Sequence, residues 1–119
     1  LDAHHTHFVL VPGAEWGAES PWIAQVGTEL AGGLPSVTVL VNGGEIAYAD
    51  ADCSLRTGRP VLTVVGSGRT AEDLASAVRG APADKRAVRL AASGLVRAVD
   101  GAEPDTLRRA LTATLRQRP

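Results

Sequence analysis

The feature that most constrains this chain is a set of short apolar runs that do not alternate with polar residues. In Ser36-Val37-Thr38-Val39-Leu40-Val41, five of six positions are β-branched or leucine. A strand with one wet face would alternate, so such a run suits a parallel sheet covered on both sides. Val61-Leu62-Thr63-Val64-Val65 and Phe8-Val9-Leu10-Val11 have the same character, and residues 95–99 form a weaker fourth run. Helical patterns separate these runs, giving an expected order β-α-β-α-β-α-α-β-α. Strands alternating with helices through short loops imply right-handed crossovers onto a parallel sheet. The chain is therefore expected to be one α/β domain over residues 1–119, with about four parallel strands and helices on both faces.

The element boundaries follow from local chemistry. Residues 6–11 are expected to be a buried strand ended by Pro12-Gly13. Ser20-Pro21 starts a helix with serine as cap and proline in the first position. Trp22, Val26 and Leu30, with Ile23 beside them, make its apolar face, and Gly32-Gly33 stops it. A helix over residues 45–57 closes on Gly58 as a left-handed cap. Thr70 and Asp73 have the spacing of a capping pair ahead of Leu74, Ala75 and Val78. Residues 84–92 and 104–117 are two further helices, the last with Leu107, Leu111 and Leu115 on one stripe.

Composition narrows the function. A net charge of -1 gives no field for nucleic acid or an anionic membrane. No apolar run approaches the roughly 18 residues of a membrane span. Cys53 is the lone cysteine, which fits a reducing cytoplasmic setting and leaves no disulfide framework. The chain begins at Leu1 and contains no methionine, so it is expected to be a piece of a longer protein.

Three glycine-bearing loops follow the first three runs: Pro12-Gly13, Asn42-Gly43-Gly44 and Gly66-Ser67-Gly68-Arg69-Thr70. In a parallel sheet all three emerge at the carboxyl ends of the strands, where open α/β sheets bind ligands. Glycine permits close backbone approach, and a helix N-terminus attracts anions. Ser67 and Thr70 offer hydroxyls, and Arg69 offers a planar two-pronged clamp for phosphate. Asn42 can donate and accept, and Glu45 can accept from sugar hydroxyls. The plain alternative is a pair of strand-to-helix turns, with Arg69 solvated or paired to Glu72 or Asp73. The candidate ligand-binding residues are thus Gly13, Asn42, Gly43, Gly44, Glu45, Gly66, Ser67, Gly68, Arg69 and Thr70. The partner they suit is a phosphate-bearing small molecule.

Other chemistries find less support. His4, His5 and His7 lack a nearby carboxylate or thiolate to complete a metal site, so no metal is expected. Gly66-Ser67-Gly68 is not a Gly-x-Ser-x-Gly elbow. Cys53 is expected to be a buried, inert thiol. Trp16 is free to stack on a base, whereas Trp22 is expected in the core. No catalytic residue and no cofactor is assigned.

The string Leu1-Asp2-x-x-His5-Thr6-His7-Phe8-x-Leu10-Val11 resembles a segment of the cytosolic N-terminal region of TRPM channels. So do Glu19-Ser20-Pro21, the strand ending in Asn42-Gly43-Gly44, and the run from Gly66 to Ala75. The chain is similar to the prokaryotic TRPM-type members of the SLOG superfamily, over Leu1 to about Ala77. The resemblance implies a Rossmann-like fold that binds nucleotides or nucleotide-derived signals, and it carries an ADP-ribose-contacting role onto Arg69. It also implies sensor modules coupled to effectors, often in defence-like systems. The LOG phosphoribohydrolases of this superfamily use Pro-Gly-Gly-x-Gly-Thr-x-x-Glu. Here Gly43 and Gly44 match, but Asn42, Ile46 and Ala47 replace the proline, the next glycine and the threonine, and Asp50 stands at the acidic position. That departure counts against N-glycosidic hydrolysis.

Family domains are longer, so the chain is expected to be the C-terminal half of one. It should then lie against an N-terminal segment or a second copy across an open sheet edge. The leading reading is a sensor for an ADP-ribose- or NAD-like ligand. The alternatives are a nucleotide-processing enzyme using Glu45 or Asp50, or an assembly module that binds nothing.

Overall fold

The computed structural model describes residues 1–117, in the order α1 (Ser20–Ala31), β1 (Thr38–Leu40), α2 (Glu45–Arg56), β2 (Val61–Val65), α3 (Arg69–Val78), α4 (Lys85–Ala91), β3 (Val96–Asp100) and α5 (Pro104–Arg116). The three strands form one parallel sheet in the order β1-β2-β3, with Val61 opposite Thr38 on one side and Val96 on the other. Successive right-handed crossovers in one direction put α2, α3 and α4 on the same face. There Tyr48, Ala51, Leu74, Ala87 and Leu90 pack with Val61 and Val96 in the main core. Alternate residues of β2 face opposite ways, and Leu62 and Val64 are as buried as Val61 and Thr63. The central strand is therefore covered on both sides, as its uniformly apolar sequence demands, and α5 lies against β3.

Among the described residues the sheet has three strands rather than four. Residues 8–13 belong to no ladder, and Phe8, Val9 and Leu10 are exposed. The reason is that a strand is made by its neighbour. β1 pairs with β2 alone, and the first segment runs beside α1 instead, where Val9 and Val11 line a groove with Trp22, Ile23, Val26 and Leu30. β1 itself keeps only Thr38–Leu40 of the apolar run over residues 36–41.

Helix α1 also turns its expected core face outward. Trp22 is 39%, Ile23 58% and Leu30 83% exposed, while Ser20 and Ala24 are the buried positions. Small residues let α1 and α2 approach closely, and that contact outcompetes the bulky stripe. Ser20 is accordingly not the cap. Glu19 holds that position, and the buried Ser20 hydroxyl donates to Asp50 Oδ1 of α2 at 2.5 Å. The C-terminal signals hold, with Gly32, Gly58 and Gly94 all at positive φ just beyond helices.

Candidate functional site

Parallel pairing of β1 with β2 brings the two loops at their carboxyl ends side by side, and hydrogen bonds knit them together. The Asn42 amide donates to Ser67 Oγ at 2.9 Å, and Asn42 Nδ2 donates to the Ser67 carbonyl at 2.7 Å. Thr70 Oγ1 donates to the Gly44 carbonyl at 2.9 Å, and the Ala71 amide to the Asn42 carbonyl at 2.9 Å. The Gly66 amide donates to Glu72 Oε2, which closes the second loop on its own helix. Nine of the ten candidate residues thus fall in one patch. Gly13 does not join them, because the run before it forms no strand and so delivers no loop to this edge.

The backbone here is tightly prescribed. Gly43 sits at φ +92°, and a Cβ on it would come within 2.7 Å of Ala47 Cβ. Asn42 and Arg69 are the non-glycine residues at positive φ among the described residues, at 57° and 51°. Asparagine tolerates that region, but arginine has no local compensation for it. Arg69 is thus the strained backbone position of this edge, beside a glycine turn. Arg69 is exposed, and its Nη2 lies 3.1 Å from where a Gly44 Cβ would stand, so glycine at 44 is what admits the guanidinium.

The donors differ from those expected. The Ser67 hydroxyl donates to the Val64 carbonyl at 2.6 Å while accepting from Asn42, and the Thr70 hydroxyl is buried against Gly44. Both are scaffold, and neither is offered to a ligand. Thr70 and Asp73 do not cap α3 either. Gly68 takes the cap position, and Asp73 Oδ2 accepts from the Tyr48 hydroxyl at 2.6 Å. What the loops do offer is backbone. The amides of Gly43, Gly44 and Glu45 at the start of α2, and of Gly68, Arg69 and Thr70 at the start of α3, have no acceptor among the described residues. Two helix N-termini therefore open side by side with Arg69 beside them, a donor-rich and positively polarised edge.

Glu45 is ion-paired in this structure. Arg86 of α4 reaches it at 2.5 Å, and this pairing, with Arg69 adding a smaller attraction, holds its carboxyl below the usual range. Arg86 also grips Asp84, whose pKa is lowered to about 2 by the guanidinium and by the Arg86 amide, and lies 3.9 Å over the Tyr48 ring. Burial and the bond to Asp73 push the Tyr48 hydroxyl up to about 12, so it stays a neutral donor. Arg86 escaped the sequence reading because it lies 41 positions from Glu45, with only proximity in space to connect them.

A family model described as SLOG in TRPM, prokaryote, matches residues 1–109, in line with the TRPM-type resemblance. The chain belongs to that family. The match extends past the loops to β3 and the first turns of α5. No curated protein and no solved structure matches the chain significantly.

Within this SLOG domain the remaining reactive side chains are occupied or remote. Asp50, at the acidic position of the phosphoribohydrolase motif, is held by Ser20 against α1. His4 does have a carboxylate beside it, Asp2, at 3.0 Å. Among the described residues, however, no group of three or more His, Cys, Asp or Glu could hold a metal ion. Cys53 is half-buried, and burial raises its thiol above the usual value. Trp16 is exposed, and Trp22 lines the α1 groove rather than the core. No described helix is long and apolar enough to cross a membrane.

Proposed function

We propose that this SLOG domain binds a nucleotide-derived anion of the ADP-ribose or NAD class across residues 42–45 and 66–70, as the sensor module of a larger signalling or defence-type protein. The observation that carries the reading is Arg69, held at φ +51° between a glycine turn and a helix start, next to six unpaired amides on two adjacent helix N-termini. Each exposed helix end contributes about 0.3–1 kcal/mol to an anion. One guanidinium contributes about 1.5–3 kcal/mol more. A reducing, cytoplasmic setting suits the lone Cys53.

Hydrolysis draws less from the same edge, because Glu45 is ion-paired and Asp50 is bonded to Ser20. Calorimetric titration with ADP-ribose, NAD and AMP, on the protein and on Arg69→Ala, tests the proposal. Saturable binding lost in Arg69→Ala is the expected result. Binding that survives Arg69→Ala, or no binding at all, contradicts it and favours an assembly role.

A further inference from the structure

Resting on the proposed anion site, we infer that Arg86 is a second anion-binding residue of this edge and that Glu45 is an internal plug which a ligand phosphate displaces. Arg86 is held in place independently of Glu45. Its Nε and Nη2 donate to Asp84 at 3.0 Å each, and its guanidinium lies over the Tyr48 ring, itself pinned through its hydroxyl to Asp73. These contacts fix the plane, and Glu45 is reached by Nη1, 2.5 Å from Oε2, and by Nη2, 3.4 Å from Oε1.

The Glu45 carboxylate sits where an anion is favoured. Glu45 is the first residue of α2, directly after Gly44, against which the Arg69 guanidinium packs. Both Arg86 and Arg69 attract it. A carboxylate at a helix N-terminus, paired to the Arg86 guanidinium, mimics the group expected to bind there. It is also easily replaced. The Glu45 side chain is 81% exposed, and an ion pair that open to water contributes little by itself. An incoming phosphate would take the Nη1 contact of Arg86 and the amides of Gly44 and Glu45. The Glu45 side chain would then swing into solvent, with Arg86 still anchored by Asp84.

The test is calorimetric titration of the protein, Glu45→Gln, Arg86→Gln and Arg69→Ala with inorganic pyrophosphate and with ADP-ribose. Glu45 is exposed, so Glu45→Gln keeps the question open even if Arg86→Gln fails to fold. Removing the competing charge should tighten binding about fivefold. Removing Arg86 should weaken it about tenfold or more. If the unaltered protein binds, Arg69→Ala does not, and neither Glu45→Gln nor Arg86→Gln changes affinity, the plug is overturned and the anion site stands. Binding seen only in Glu45→Gln supports the plug. Binding by neither the protein nor Glu45→Gln overturns both.

Discussion

At the scale of single residues, the proposed anion site sets binding against stability at Arg69. A left-handed backbone costs a non-glycine residue about 1 kcal/mol or more. Arg69→Gly should therefore raise the unfolding free energy by about 0.5–1 kcal/mol while abolishing anion binding, as read by urea denaturation beside titration. A residue kept for folding would show the opposite. Ser67 is the converse case, since its hydroxyl bridges Asn42 and Val64. Ser67→Ala should lower stability by about 1–2 kcal/mol in the same denaturation experiment, because two loop hydrogen bonds go with it. The glycines and Arg69 were legible in the sequence because their chemistry is local. The roles of Ser67, Thr70 and Arg86 were not, because each also has a partner tens of positions away, Asn42, Gly44 and Glu45 respectively, that only the fold brings near. Acid tests the Arg86 cluster. The Asp84 carboxyl is depressed to about 2 and that of Glu45 is lowered, so their contribution is complete above their ordinary values and is lost as pH falls through the depressed ones. Carboxyl chemical shifts followed by NMR should show Asp84 titrating near 2 rather than at its ordinary 3.8.

At the scale of elements, Val61–Val65 and Gly58 could be read from sequence because the apolar run has a partner strand on each side and a left-handed glycine cap is a local signal. Phe8-Val9-Leu10-Val11 gave the same signal and formed no strand, since composition states the propensity for a strand and not the presence of its partner. Helix α1 shows a related limit. Its strongest periodicity marks the face that stays exposed, whereas Ala24 and Ser20 do the packing. Gly27 explains part of this arrangement. A Cβ there would stand 3.0 Å from Arg59 Nη2, and the buried Arg59 donates from that nitrogen to the Ala24 carbonyl and Thr28 Oγ1. Gly27→Ala adds helix propensity of about 1 kcal/mol, yet it should destabilise the protein. The crowded guanidinium would leave its acceptors, and thermal unfolding would show a lower midpoint.

At the scale of the whole molecule, the side bearing β1 stands out. Val39 and Val41 are exposed at the sheet edge, and Trp22, Ile23, Leu30 and Leu34 are exposed on and beside α1. We propose that a second copy or a preceding segment of the same protein pairs along β1, since open, apolar strand edges recruit partners. Light scattering should then show a mass that rises with concentration and falls back in Val39→Lys. A constant monomer mass would contradict pairing between copies. The central claim, that the loops after β1 and β2 form an anion site, is tested most directly by mapping backbone amide shifts as ADP-ribose is added. The account predicts saturable shifts at Gly43, Gly44, Glu45, Gly68, Arg69 and Thr70. Shifts confined to the opposite end of the sheet, around Ser36, Gly58 and Leu95, or no saturable shifts anywhere, would contradict it.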